Sequence, residues 1–407
     1  MLLSKTNKAD IPLYVGSFLM TLFILVVMID PTNTLLHKKD IAFVLTVAYN
    51  MVLFKPDFGK LPYIMLMFCA VAVPWIFSTM RMTPVDPDEV LAAFKSIAPV
   101  VLLLWTRNYN MVKLSRFPVV LCCFISLATY IAMSVNPLIE RGVWMFMQNI
   151  DDPVTISRRT ILGVEILGFY LKSCVSFIFV FSYYMLYSLD KTKRNVANFI
   201  FLIIIFSYFM ISGTRSTMLM PFFLFIVIAS YVFKNSRYIK YVMYPLIFVL
   251  AIAFVTVLLA AIMETDELSN TIKYGHLDSY AALFDENPLF LIFGQGPGAT
   301  FYSEGFGEVV VRTEWSYLDL IRNYGVFSLI IVFVFAKPIF SFWKYRKQDD
   351  FNYCMFWSYL VYLLIAGTNP LLMSSTGMIV LLMAYSYEDK IKNSINNIDD
   401  EDNITHI

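Results

Sequence analysis

Apolar residues fall in long runs along the whole chain, and short polar breaks separate the runs. A helix needs roughly 20 apolar residues to cross about 30 Å of hydrocarbon. In lipid only helices and closed barrels satisfy the backbone. The runs lack the alternation of barrel strands, so the pattern predicts helices. Spans are placed at 11–29, 41–54, 61–80, 90–105, 117–135, 164–189, 196–212, 216–233, 241–263, 326–343, 351–366 and 371–387. The stretch 41–54 is short for a crossing, and 90–105 carries Lys95. The expected fold is an all-α polytopic membrane protein of about 12 helices, with a large extracytoplasmic loop between the ninth and tenth.

Composition agrees with this class. The chain of 407 residues is 59% hydrophobic and only 15% charged, with a mean hydropathy of +0.67. A soluble domain carries about 25% charged residues. No polar stretch is long enough to bury a separate core, so residues 1–390 read as one transmembrane domain. Residues 391–407 read as a cytoplasmic tail, and Glu388–Ile407, with its Asp399–Asp402 run, as a disordered solvated end. No small-residue cleavage site follows the first apolar run, which is long enough to span.

Charge supplies the orientation. With the N-terminus inside, every inner break carries at least two cations, as with Lys55 and Lys60, Arg107 and Lys113, or Lys390 and Lys392. That is the positive-inside pattern, and it puts both termini in the cytoplasm. Lys95, Lys172 and Lys337 fall within spans, where snorkelling or internal pairing accounts for them.

Some chemistry is closed off. The five cysteines lie in apolar spans without a CxxC pair, so disulfides and thiolate metal sites are not expected. His37, His276 and His406 are far apart, and neither HExxH nor HxxxH occurs. There is no P-loop and no GxSxG elbow. No cofactor, metal or nucleic-acid partner is expected.

Two outward loops are long, 136–163 and 264–325. The second runs to roughly 60 residues, against about 4 to 6 for an ordinary connection. Its aromatics, glycines and apolar patches predict a cap of short helices. Gly294, Gly296 and Gly298 allow sharp turns: either an anion nest of inward amides or a plain turn. Thr313 is a candidate N-cap. Beyond it, Glu314, Tyr317 and Ile321 share one helical stripe, so Glu314 and Tyr317 lie near each other on a helix leading into a span.

This stretch resembles the O-antigen polymerase family, the Wzy proteins of bacterial surface-polysaccharide assembly, related to the O-antigen ligases. The shared features are a late outward loop, a GxG turn after an apolar run, and an acidic residue before an aliphatic helix ending in Gly325. Ser212-Gly213-Thr214-Arg215-Ser216 resembles the family's Ser-Gly-Thr/Ser-Arg turn, and Thr368-Asn369-Pro370 its late Asn-Pro break. As a layout the resemblance covers most of the chain; as motifs it covers about 60 residues.

The resemblance implies a metal-independent, inverting glycosyltransferase. It would move a growing glycan from one undecaprenyl diphosphate carrier onto another carrier-bound repeat unit, outside the bacterial inner membrane. Its partners would be those lipid-linked oligosaccharides, membrane lipids and a chain-length regulator; the product would be O-antigen, capsule or another exopolysaccharide. Such chemistry needs cations for the departing diphosphate and a base for the attacking hydroxyl. Arginine suits phosphate because it is always charged and bidentate. Arg215, set between two spans, is the first candidate for the diphosphate, or else a topology residue. Arg158 and Arg159 would hold a second diphosphate, or lipid headgroups. Of Arg312 and Arg322, one would face phosphate while the other pairs with Asp319 or Glu308. Glu314 is the expected base, or only a helix-terminal carboxylate favoured by the dipole; in many relatives a histidine stands there. His276 is the competing base, and Tyr317 and Tyr280 are expected at sugars. Other readings are a flippase or transporter, which twelve spans would suit, an O-antigen ligase, and a non-catalytic scaffold. The lopsided late loop and the lack of matching halves count against a carrier.

Overall fold

The structure is a computed structural model of the full chain. It describes residues 11–148, 154–161, 164–190, 192, 194–234, 241, 245, 249, 268–313, 315–367 and 371–404. Helix makes up 77% of the fold, so the mostly helical class holds. Among the described residues, five helical stretches are long and apolar enough to cross a membrane: Ile11–Ile29, Phe58–Met80, Pro87–Asn108, Met111–Val135 and Ser316–Tyr345. Shorter apolar helices cover Cys174–Leu189, Val196–Ile211 and Ser216–Val232. The protein is thus membrane-embedded by the length and apolarity of its helices.

The helices follow the apolar runs closely. They are α1 (Ile11–Ile29), α2 (Lys39–Leu53), α3 (Leu61–Met80), α4 (Pro87–Ile97, continued as a 3-10 segment Ala98–Asn108) and α5 (Met111–Val135). Then come α6 (Pro137–Gln148), strands β1 (Val154–Ile161) and β2 (Val164–Leu171), α7 (Ile178–Leu189), α8 (Val196–Ile211) and α9 (Arg215–Val232). The span expected at 241–263 lies outside the described residues, apart from Tyr241, Pro245 and Val249. Asx side chains start several helices. Asp86, Asn110, Asn195 and Asp349 each accept a backbone N–H from the first turn that follows, which satisfies one of the amides a helix leaves without an internal partner.

The expected span 164–189 is a correction. Val164–Leu171 is a strand, paired antiparallel with β1 in the register Val154↔Leu171 to Ile161↔Val164. The hairpin buries alternate residues, with Val154, Ile156, Phe169 and Leu171 all inside, the period of a strand and not of a helix. Lys172 accordingly sits in the turn after β2, not inside a span. The Ser173 hydroxyl donates to the Met28 carbonyl at 2.6 Å, and the Tyr208 hydroxyl accepts the Leu171 N–H at 3.1 Å.

Successive helices run back and forth, so the bundle has two ends. At one end the Tyr49 hydroxyl reaches the Pro12 carbonyl at 2.9 Å, and Lys60 meets Asp389 at 2.5 Å. The other end holds the hairpin and the late loop, here the cap. The cap is built of α10 (Leu268–Glu286), a short α11 (Phe290–Phe293), hairpin β3 (Phe301–Ser303) and β4 (Glu308–Val310), and α12 (Ser316–Tyr324). The cap is therefore one long helix plus a hairpin, not only short helices. From it the chain enters α13 (Ser328–Tyr345), then α14 (Asp350–Ala366) and α15 (Ser375–Ile404). The last helix runs on to Ile404, so the expected disordered tail is helical backbone over most of its length.

Buried tyrosines tie the last three helices together. Tyr359 and Tyr385 on α14 and α15 donate to the Phe335 and Val334 carbonyls of α13, at 2.6 and 3.0 Å. Each ring fills the core while its hydroxyl finds a partner, as a buried tyrosine usually does.

Candidate functional site at the cap joint

The cap is joined to the bundle through the glycine turn. Gly294, Gly296 and Gly298 all have positive φ, at 70°, 99° and 78°, a region that glycine enters without strain. Two of the turn's amides point into the protein. Gln295 N–H donates to the Arg322 carbonyl at 2.6 Å, and Gly296 N–H to the Asn323 carbonyl at 3.0 Å. These bonds satisfy carbonyls that the end of α12 leaves open. The structure thus decides between the two readings of the glycine cluster: it is a joint, not an anion nest. Its far side rests on the bundle. The Gly298 carbonyl accepts from Asp86 N–H at 3.0 Å. Arg81 donates from its guanidinium to the Gly294 carbonyl, with Phe290 beneath it at 5.3 Å. Burial lowers the Arg81 pKa below the ordinary arginine value.

Behind the joint lies a buried ionic knot. Arg322 is 0% exposed. Its Nε donates to Asp319 at 3.1 Å, Nη1 to Gln295 Oε1 and the Ala299 carbonyl, both at 2.9 Å, and Nη2 to the Val311 carbonyl. The ring of Phe301 lies 4.5 Å from its centre. Asp319 also accepts from the Tyr280 hydroxyl and from Thr313 N–H, each at 2.7 Å. Burial, and then the neighbouring Asp319 charge, raises the Tyr280 pKa well above the usual phenol.

Three of the expected residues, Tyr280, His276 and Thr313, therefore change role, while Arg322 takes the pairing with Asp319 that was expected for one of the two arginines. Arg322 pairs with Asp319 and has nearly all its donors engaged inside the cap, so it does not face a phosphate. Tyr280 is 2% exposed, and its hydroxyl is shared between Asp319 and Thr313; no face is open to a sugar. His276 is 0% exposed, with Nδ1 at 2.7 Å from Ser303 Oγ and its ring edge-on to Phe306. It fixes α10 to the β3–β4 hairpin and is closed to a substrate hydroxyl. Thr313 does not cap α12 as expected: Trp315 stands at the N-cap, and Thr313 Oγ1 accepts its N–H at 3.1 Å.

One cleft opens at the joint, of about 70 Å³, between α4, the glycine turn, α12 and Leu372–Met373. Arg312, Glu89, Ser96 and Asn323 line it. Arg312 is 53% exposed in its side chain and is paired with Glu89, while Arg322 takes Asp319 of the two expected partners. Asn323 Oδ1 is buried without a hydrogen-bond partner among the described residues. Ligand pockets run to about 300–1,000 Å³, so the cleft as it stands is smaller than such a pocket.

The remaining expected residues are spread over the same end. Arg215 opens α9, preceded by Gly213 with φ 69° pressed against Gly168 of β2. The Ser212 and Thr217 hydroxyls meet at 2.5 Å in that turn; the Arg215 side chain lies outside the described residues. Tyr231 stacks on Tyr353 and Phe223 packs on Trp357, so α9 and α14 run antiparallel. Arg215 therefore shares its end of the bundle with Gly367. Tyr317 packs there against Gly367 and donates to the Leu363 carbonyl at 2.7 Å, 37% exposed. Arg158, on β1, is exposed and pairs with Glu140 of α6 at 2.7 Å. Arg159 lies on the same strand opposite Ile166, its side chain outside the described residues. Glu314 and Thr368-Asn369-Pro370 also lie outside them.

Glu89 and Arg81 escaped the sequence reading. Their partners Arg312 and Gly294 are 223 and 213 positions away, and no local pattern marks such a pair. No model of a known protein family matches the chain, and no curated protein is significantly similar to it.

Proposed function

We propose that the chain is a polymerase of lipid-linked oligosaccharide repeat units, working at the cap end of the bundle. That end would face outward from the bacterial inner membrane, and the cation-rich opposite end would face the cytoplasm. The observation that carries the reading is the cleft at the cap joint. There an exposed arginine, Arg312, is held by a carboxylate, Glu89, at the mouth between a bundle and a folded cap.

A carrier diphosphate entering between the helices would compete with Glu89 for the Arg312 guanidinium. Arginine binds phosphate with two parallel hydrogen bonds, and its charge stabilises the diphosphate as it departs. Arg215, at the same end, would hold the second carrier. In the reaction the acceptor sugar hydroxyl attacks the anomeric carbon of the donor. The bond to the diphosphate oxygen breaks, inverting that carbon, and the hydroxyl proton passes to a carboxylate. Glu314, two residues beyond Arg312, is assigned that role. Tyr317, half-exposed on α12, would border the sugars.

The test is genetic. A strain lacking the native gene receives Arg312→Ala, Arg215→Ala or Glu314→Gln, and its surface glycan is run on a gel. Loss of polymerisation leaves single repeat units attached at the surface; a flippase defect leaves none. A full ladder with all three variants would remove the proposal.

A further inference from the structure

A cavity larger than the cap cleft lies away from the cap. It lies at the opposite end of the bundle, with a volume of about 290 Å³, and is lined by Lys60, Arg107, Lys337 and Lys392 together with Asp57, Asp389, Gly59, Tyr63 and Asn393. The proposed polymerase reaction makes no use of it.

Its acidic groups are occupied by the protein itself. Asp389 accepts from Lys60 at 2.5 Å and from the Thr106 hydroxyl at 2.8 Å. Glu388, behind the wall, accepts from Lys337 through both oxygens, from Lys392 and from Ser341, each at 2.8 Å. Asp57 caps the turn at Gly59, 3.0 Å from its N–H. The cations are not matched to the same degree. Even with Glu388 counted, the four cations exceed the three carboxylates by one positive charge. Arg107 is exposed and makes no ion pair among the described residues. Lys60 and Lys392 each engage a single carboxylate oxygen, while an ammonium carries three donors. The amide of Asn393 stands beside them.

Depth narrows the ligand. Lys337 sits inside the apolar helix α13, eight residues before its end at Tyr345, which places it about 12 Å in from that end at 1.5 Å per residue. Arg107 stands at the last turn of the segment that ends at Asn108. The cavity therefore opens at the helix ends, where lipid headgroups meet a membrane protein, and reaches inward from there. An excess positive charge there is costly unless an anion answers it, and basic pockets between membrane helices hold phosphate headgroups.

We propose that this cavity binds a phosphate group, carried either by an anionic lipid headgroup or by a soluble phosphate. Arg107 grips it, with Lys392, Lys60 and Asn393 completing the donor set, while Asp389 and Glu388 hold the lysines in place.

The test uses the full chain purified in neutral detergent. Thermal unfolding is followed with added phosphatidylglycerol, phosphatidylcholine or inorganic phosphate, and native mass spectrometry counts bound lipid. Wild type should rise in midpoint with phosphatidylglycerol but not with phosphatidylcholine. Arg107→Gln, at an exposed side chain with no ion pair among the described residues, should bind roughly tenfold more weakly, a loss of about 1.4 kcal/mol. The double variant with Lys392→Gln should lose the rise, and Lys347→Gln, at the same end but outside the cavity, should keep it. An equal rise with inorganic phosphate alone, lost in the same variants, assigns the cavity to a soluble anion. If Arg107→Gln and wild type respond alike to both ligands, the site does not exist.

Discussion

Arg322 shows how much a single side chain can decide at the cap joint. Its guanidinium reaches a carboxylate, an amide and two carbonyls without exposure to solvent. Removing one partner of a buried pair leaves the other charge uncompensated, at a cost of about 3–5 kcal/mol. Arg322→Leu should therefore lower the unfolding midpoint sharply and open residues 268–313 to protease. Arg322→Lys keeps the charge but cannot reproduce the planar set of bonds, and should fall between. If Arg322→Leu leaves the cap resistant to protease yet abolishes glycan extension, the arginine is functional after all. Part of this knot was legible in the sequence, because Asp319 and Arg322 are one helical turn apart and their pairing is a local pattern. The pairing of Arg312 with Glu89 was not, because only the folded chain brings those helices together. Glu388 gives a second residue-scale expectation. Burial acts to raise its pKa, but the hydrogen bonds from Lys337 and Lys392 prevail and leave it below its ordinary value of 4.5. A carboxyl lowered in the folded state stabilises fully above its unfolded pKa and loses that contribution as pH falls through the folded one. The unfolding midpoint should thus hold near neutrality and drop below about pH 4.5, its ordinary unfolded value. In Glu388→Gln that acid drop should be shallower; an identical acid profile would show that the ion cluster adds nothing to stability.

At the scale of elements, the glycine turn couples cap and bundle by close approach. A Cβ on Gly294 would lie 2.3 Å from the Asn323 carbonyl oxygen, and one on Gly296 would lie 2.4 Å from Ser78 Oγ. Both positions also have positive φ, so an alanine there adds backbone strain of about 1–3 kcal/mol to the clash. Gly294→Ala and Gly296→Ala should each loosen the cap, seen as faster hydrogen exchange at Gln295 and Gly296 while α1 and α5 stay protected. Pairing Gly296→Ala with Ser78→Gly should restore only part of that protection, because the strain in φ remains; full recovery would show that the clash alone matters. The joint was half visible beforehand. Three alternating glycines announce a turn, but which way their amides face depends on α12, whose last carbonyls receive them. The span at 164–189 failed for a related reason. Val164-Glu165-Ile166-Leu167-Gly168-Phe169-Tyr170-Leu171 is so apolar that it suits a strand or a helix. What decides is β1, whose register buries Val154 and Ile156 beside Leu171 and Phe169. Where an apolar run stands alone, as in 11–29 and 61–80, the helices α1 and α3 end at the residues expected.

At the scale of the whole molecule, the two ends of the bundle differ in kind. Among the described residues the cap end is folded, with two hairpins, the helix α10 and the cleft beside Arg312, and the other end is short turns and clustered cations. If the positive-inside rule sets the orientation, the cap faces outward, and the proposed polymerase and the phosphate cavity lie on opposite faces of one membrane. Cysteine mapping separates this from the inverse arrangement. The native cysteines interfere little, since Cys122, Cys123, Cys174 and Cys354 are buried. Cys69 is exposed only along α3, where hydrocarbon would shield it from a charged reagent. Tyr302→Cys, at a cap position 57% exposed, should react with an impermeant maleimide in intact cells. Lys347→Cys, exposed at the opposite end, should react only after the membrane is permeabilised. The reverse pattern would place Arg312 and Glu89 in the cytoplasm, away from any extracytoplasmic glycan, and the polymerase reading would fall with it. The phosphate cavity would survive that result, because its case rests on charge and depth in the bundle and not on which side it faces.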